Sequence, residues 1–132
     1  MYWKDNGGSD ILRLNGLREY PKEIYDLFLN LIESDGRVID LGCGNGLLLR
    51  HLVRESRYKI IPYGVDFIKE SIDQAKSIIL PEYSDNFIVA NIIDLDLKPH
   101  SFNYILFDPT NVHKDDLEKM IEKILRGVYT RG

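Results

Sequence analysis

Three glycines at alternate positions, Gly42, Gly44 and Gly46, carry the strongest chemical signal in this 132-residue sequence. They follow the apolar run Arg37-Val-Ile-Asp-Leu41 and precede the helix-like stretch from Leu47 to Val53. Glycine reaches positive φ without steric cost, so such a loop brings backbone close to a ligand with no Cβ between them. The unpaired N–H groups of the following helix face the same opening. That combination suits a nucleotide-type ligand. The spacing also excludes. A dinucleotide fingerprint reads G-x-G-x-x-G, whereas here the third glycine falls one residue early and Leu47 stands where glycine is needed, which argues against a nicotinamide-dependent dehydrogenase. No G-x-x-x-x-G-K-[ST] occurs, so a Mg-nucleotide phosphate cradle has no support.

The remaining side chains with chemical potential each close an apolar run. Asp66 ends Tyr63-Gly-Val-Asp66, Asn91 follows Phe87-Ile-Val-Ala90, and Asp108 follows Tyr104-Ile-Leu-Phe107, with His113 five residues further on. Each has a structural reading beside the chemical one. Asp66 before a helix is a cap, and Asn91 and the segment Asp108-Pro109-Thr110-Asn111 are turn formers. Asp40 can hold the glycine loop through backbone N–H groups. His113 is a candidate base for an oxygen or nitrogen nucleophile, or a solvated histidine ahead of a helix.

These residues need a scaffold of alternating strands and helices. Pro21 to Glu33 reads as a helix with Ile24, Leu27, Phe28 and Leu31 at helical spacing, and Asp35-Gly36 turns the chain out of it. Arg37 to Leu41 and Lys59 to Val65 are strand-like, followed by helical patterns over Leu47 to Val53 and Ile68 to Ile79. Phe87 to Ala90 and Tyr104 to Phe107 repeat the strand signature, and Asp115 to Leu125 carries Leu117, Met120, Ile121, Ile124 and Leu125 on one helical face. Near-continuous apolar strands predict a parallel sheet buried on both faces, an α/β fold. The stretch from Ile92 to Phe102 is too short for a full helix plus turns, so one face should be thinly covered.

Length and composition agree with one domain, residues 1–132, made of a helical segment over 1–35 and a core over 36–132: 44% of the residues are apolar and 29% charged, without repeat or linker. No apolar run approaches the roughly 20 residues that cross a bilayer, and the opening MYWKDNGG lacks signal-peptide layout, which predicts a cytoplasmic protein without membrane attachment. The single Cys43 has no partner for a disulfide or metal site, so no metal is expected. A net charge of −4 offers no general attraction to phosphate backbones, which favours a small molecule or protein as partner over nucleic acid.

With the loop placed after the first strand, Val38-Ile39-Asp40-Leu41-Gly42-Cys43-Gly44-Asn45-Gly46 resembles the first motif of the class I, Rossmann-like S-adenosylmethionine-dependent methyltransferases. Tyr63-Gly-Val-Asp66-Phe67 is similar to their second motif, Phe87-Ile-Val-Ala-Asn91-Ile92-Ile-Asp94 to their third, and Phe102-Asn-Tyr-Ile-Leu-Phe-Asp108 to their fourth strand. The resemblance implies S-adenosylmethionine as cofactor, a sheet of order 3-2-1-4, and a site between strands one and four. It implies cofactor contacts from Asp40, Gly42, Cys43, Gly44, Asn45 and Gly46, from Asp66 at the ribose with the bulky Phe67 beside it, from Asn91 and Ile92 at the adenine, and from Asp108 near the transferred methyl group. Asp40 would meet the methionyl amino group through water. Asp108-Pro109-Thr110-Asn111 matches only the first half of the Asp/Asn/Ser-Pro-Pro-aromatic loop of amino-methylating members, so Asp108 and His113 are the candidate catalytic residues for an unidentified acceptor. Tyr2 and Trp3 are candidates to fold over the cofactor. Strands five to seven of the full fold have no sequence here. The fourth strand is therefore expected to be an edge that pairs with a second copy or a partner chain, or else the chain is a truncated form. The alternative to an enzyme is a non-catalytic S-adenosylmethionine-binding module or partner subunit of a methyltransferase.

Overall fold

The computed structural model of the chain describes residues 21–128. Within them the elements run α1 (Lys22–Leu31), β1 (Gly36–Leu41), α2 (Leu47–Glu55), β2 (Ile60–Asp66), α3 (Lys69–Gln74), β3 (Phe87–Val89), β4 (Tyr104–Phe107) and α4 (Lys114–Gly127). Tyr2 and Trp3 lie outside the described residues, as does most of the expected N-terminal segment.

The four strands form one parallel sheet, as the alternation of strand and helix signals predicts, in the order β3-β2-β1-β4 that the resemblance implies. Asp40 stands opposite Gly64 on one side and Leu106 on the other, and Leu41 opposite Val65 and Phe107. Asp66 and Asp108 therefore follow the last paired rung and flank Gly42 from the two neighbouring strands. Outside the strands, a parallel bridge joins Phe102 to Val128 beside the start of β4.

Alternation along β1 sends Val38 to one face and Ile39 and Leu41 to the other. The first face packs Val38, Ile60 and Phe87 against Leu49 and Leu52 of α2 and Ile72, Ala75, Ile79 and Leu80 from α3 and its continuation. The second face is covered by Met120 and the half-buried Ile124 of α4, with Leu97, Val112 and the 90–95 loop supplying the rest. It is the thinner cover, as the short stretch before Phe102 predicts. Lys123 Nζ donates to the Ile93 carbonyl at 2.6 Å and so ties that loop to α4.

Three local readings change. On α1 the inward residues are Phe28, Leu29 and Ile32, while Ile24, Leu27 and Leu31 are exposed. The C-cap Ile32 turns extended and drops into the core, and that sets which side of the short helix meets the sheet. On α4 only Met120 and Ile124 reach the sheet from the expected stripe. Ile121 and Leu125 face outward because a helix on a four-stranded sheet buries a narrow strip. The expected helix over Ile68 to Ile79 is regular only to Gln74 and then widens into a π turn over Ala75–Ile79, closed by Leu80 N–H on the Ala75 carbonyl at 2.9 Å. The wider turn lets Ala75, Ile79 and Leu80 all bury against the first face. A 3-10 segment over Pro81–Asn86 then leads into β3.

Candidate functional site

The glycine loop takes the conformation its sequence anticipates: φ is +93° at Gly42, +58° at Gly44 and +89° at Gly46, angles at which any Cβ is strained. The loop is fastened from beneath. Gly42 and Cys43 N–H both donate to the Val65 carbonyl, at 2.8 and 3.0 Å, and Gly46 N–H donates to the Cys43 carbonyl at 3.1 Å. Gly46 is the N-cap of α2, and the first N–H of that helix with a helical acceptor is Arg50's, on Gly46 at 2.8 Å. The N–H groups of Leu47, Leu48 and Leu49 have no backbone acceptor among the described residues, so the positive end of α2 opens beside the loop.

Asp66 is the loop's side-chain clamp. It is 4% exposed; Oδ2 accepts from Gly44 N–H and Oδ1 from Ile68 N–H, both at 2.9 Å, so one carboxylate joins the glycine loop to the start of α3. Burial pushes its pKa up, and the N–H groups of Ile68, Gly44 and Phe67 act against that rise. The loop-holding role considered for Asp40 thus belongs to Asp66. Each Asp66 oxygen keeps a second lone pair, so ribose hydroxyls would have acceptors without displacing the clamp.

Asp40 differs. It is half-buried on the same face as Gly64 and Leu106, and no hydrogen-bond donor reaches its carboxylate among the described residues. Its pKa is pushed up to about 7, first by burial, then by the negative charges of Asp66 and Asp108.

Cys43 faces inward. Its thiol packs in the core, 2.7 Å from where a Cβ on Gly64 would sit, while its N–H is held by the Val65 carbonyl of β2 and its carbonyl by the Gly46 N–H. It supports the loop rather than presenting a group to a ligand. Asn45 is buried as well, donating from Nδ2 to Gln74 Oε1 at 3.1 Å and so tying the loop to α3. Phe67 is 58% exposed directly beyond Asp66, an apolar surface beside an acidic one. Asn91 is exposed and accepts Ile93 N–H on Oδ1 at 3.1 Å, closing the turn after β3, and Ile92 packs half-buried in the second core.

The β4 end is built locally. Asp108 is exposed and its Oδ1 accepts both the N–H and the hydroxyl of Thr110, at 2.9 and 2.7 Å, closing a 3-10 turn over Pro109–Asn111. His113 is the N-cap of α4, its Nδ1 accepting Asp115 N–H at 3.2 Å with 67% of the side chain exposed. The turn and cap readings of both residues are what their hydrogen bonds express. The turn bond of Thr110 and the contact of Gln74 with Asn45 escaped the sequence reading. A Thr two residues after an Asp is a usable signal for the first; nothing in the sequence marks the second.

With the loop, the helix end and the carboxylates in place, the comparison with known sequences decides the family. The profile of the methyltransferase domain matches residues 32–132, which takes in every element from β1 onward. The chain belongs to the methyltransferase domain family. No curated protein sequence matches this methyltransferase domain significantly. Among solved structures it is similar to the YcgJ protein of Bacillus subtilis, with a TM-score of 0.67 and 22% identity over 85% of this chain and 48% of that one. A TehB-like SAM-dependent methyltransferase from Corynebacterium glutamicum gives a TM-score of 0.71 and 18% identity over 99% of this chain and 69% of that one. Haemonchus contortus phosphoethanolamine N-methyltransferase 1, solved with phosphoethanolamine and S-adenosylhomocysteine, gives 0.72 and 15% over 99% and 29%. At these identities the likeness carries the fold alone: a Rossmann-like parallel sheet of order 3-2-1-4. The chain spans 48%, 69% and 29% of the length of these three structures. Among the described residues no helix is long and apolar enough to cross a membrane, and no cluster of ligating side chains could hold a metal ion.

Proposed function

We propose that this chain binds S-adenosylmethionine at the glycine loop and serves the transfer of its methyl group to an acceptor. The observation that carries the reading is the loop itself: three left-handed glycines under the open end of α2, with Asp40, Asp66 and Asp108 beyond the strand ends. The residues fit such a ligand by charge and shape. The free N–H groups of α2 suit the methionyl carboxylate, Asp66 offers two acceptors to the ribose hydroxyls, Asp40 meets the cationic part, and Phe67 with the Asn91 turn offers an apolar and a polar surface to the base. Bound S-adenosylmethionine would supply an electrophilic methyl carbon, transferable by direct displacement. The chain's own work is then to hold that ligand in one orientation and to exclude water. Complexes with S-adenosylhomocysteine in structures of this fold support the cofactor assignment.

Calorimetric titration of the chain with S-adenosylmethionine and S-adenosylhomocysteine tests the reading, and no binding by either would remove it. Asp66→Ala should weaken binding by more than about 1.5 kcal/mol if the carboxylate holds the ribose through charge-assisted bonds. An unchanged affinity would leave Asp66 as a clamp only.

A non-catalytic binding module is the second reading, favoured by the exposed Asp108 and His113, whose hydrogen bonds close their own turns. Binding without methyl transfer to any nitrogen, oxygen or carbon acceptor would select it. We further propose a cytoplasmic protein whose β4 edge pairs with a second copy or a partner chain, since an apolar parallel edge strand invites such pairing. A monomer by light scattering at micromolar concentration would dismiss self-pairing, and an unchanged mass after incubation with cell extract would dismiss a partner chain.

A further inference from the structure

We propose that Gln74, on α3 and outside the glycine loop, is a positioning residue for ligand binding: it holds the Asn45 side chain, and through it the end of the loop from which α2 opens. The inference rests on the S-adenosylmethionine reading and adds to it a residue that sets the site from the neighbouring helix.

The loop has two halves that are held differently. Gly42 and Cys43 N–H donate to the Val65 carbonyl and Gly44 N–H to Asp66 Oδ2, so the first half hangs from the end of β2 by its backbone. The second half, Gly44-Asn45-Gly46, has φ of +58° and +89° at its two glycines, which offer no side chain for neighbours to grip. Asn45 is the one side chain in that stretch. It is 3% exposed, and its Nδ2 donates to Gln74 Oε1 at 3.1 Å across 29 residues of sequence. Gly46 follows directly as the N-cap of α2, so where Asn45 is held governs where the Leu47, Leu48 and Leu49 N–H groups point. Gln74 is a firm support. It is the last residue of regular α3, and Ala75, Ile79 and Leu80 of the wide turn that follows are 0%, 1% and 0% exposed. That turn also abuts the loop, since a Cβ on Gly46 would lie 3.6 Å from the Ala75 Cβ. Single π turns inside helices frequently mark functional sites, and this one begins at the residue after Gln74. A buried donor is costly to leave without its acceptor. Deprived of Gln74, the Asn45 amide would turn toward another acceptor and carry Gly46 with it, because the glycine on either side resists little.

The test is calorimetric titration with S-adenosylhomocysteine of the wild-type chain, Gln74→Met, Gln74→Glu, Asn45→Ala and the double variant of Asn45→Ala with Gln74→Met. Gln74→Met keeps the length and helix preference of glutamine and removes the acceptor; it should bind about tenfold more weakly. Gln74→Glu keeps an acceptor oxygen and should stay within about threefold of wild type. If Gln74 acts through Asn45, the double variant should bind about tenfold more weakly, as each single one does, rather than about a hundredfold. Amide hydrogen exchange in the ligand-free chain gives a readout that a merely structural role would not move. Gly46 N–H should exchange faster in Gln74→Met, while Gly42 and Cys43 N–H, held from β2, keep their rates. Wild-type affinity in Gln74→Met, losses that multiply in the double variant, or a loss in Gln74→Glu as large as in Gln74→Met would overturn the role of Gln74 and leave the binding reading intact. Failure of the wild-type chain to bind would overturn that reading and the proposal together.

Discussion

Asp66 and Asp108 flank the same glycine from the two sides of β1, and the protein has been built around them in opposite ways. Asp66 is 4% exposed and bonded to backbone on both oxygens. Beneath it, Gly64 leaves no room for a Cβ, which would sit 2.6 Å from Phe87 and 2.7 Å from the Cys43 sulfur. Asp108 is exposed, bonded to its own turn, and follows a strand whose four residues are all half-buried. At the β2 end, the fold's packing and the ligand-facing loop are one structure, so a change in either is felt in the other. At the β4 end, the side chains stand on self-sufficient turns that can change without consequence for the core.

Truncating an aromatic under each end should break or sustain this contrast most visibly. Phe87 is 1% exposed and packs beneath Gly46 and Gly64, so Phe87→Ala should cost about 3–5 kcal/mol of unfolding free energy and loosen the loop. Phe107→Ala, half-buried on the thinner face, should cost less than about half of that. Urea unfolding of the two variants measures both. Equal losses would mean that the β4 end is as tightly packed as the loop.

A smaller effect concerns Asp40 in the ligand-free protein. Its pKa is raised in the folded state, so the native chain binds more protons than the unfolded chain between the ordinary carboxylate value and about 7. Stability from this group is therefore greatest in acid and is lost as pH rises through that window. Asp66 is shifted in the same direction. Asp40→Asn should raise stability by about 2–4 kcal/mol near pH 8 and leave it almost unchanged near pH 4, read from melting curves at the two pH values. A gain of equal size at both would mean that shape, not charge, is what Asp40 imposes.

The strand positions and the loop could be read in the sequence because they depend on local chemistry, whereas the strand order came only with the resemblance. Alternating glycines need positive φ whatever surrounds them, and an apolar run such as Val38-Ile39 has few options other than a buried parallel strand. What could not be read depends on which residues meet in space. The assignment of the loop clamp to Asp66 rather than Asp40 follows from β1–β2 register, which carries the Asp66 carboxylate under Gly44 from 22 residues away. The wide turn at Ala75–Ile79 is set by burial against Phe87, since nothing in Ala-Lys-Ser-Ile-Ile breaks a helix. The outward Ile121 and Leu125 follow from the narrowness of the sheet beneath α4, which periodicity does not report.

The smallest expected change lies at the β4 end and decides what its acidic side chain is for. Asp108→Asn keeps an acceptor oxygen for the Thr110 N–H and hydroxyl, so the turn should persist and unfolding free energy should move by less than about 0.5 kcal/mol. Its charge nonetheless acts on Asp40. Removing it should lower the midpoint of the Asp40-dependent stability profile while leaving the acid plateau in place, because one of the two anions that disfavour a charged Asp40 has gone. Thr110→Val, by contrast, removes a hydroxyl from the turn and no charge, and should leave that midpoint where it is. A shift in the first variant and none in the second would assign Asp108 an electrostatic hold on the ligand site from a turn that the fold itself does not need. Two profiles that superpose on wild type would confine Asp108 to closing its turn, and the two ends of the site would then be independent in charge as well as in packing.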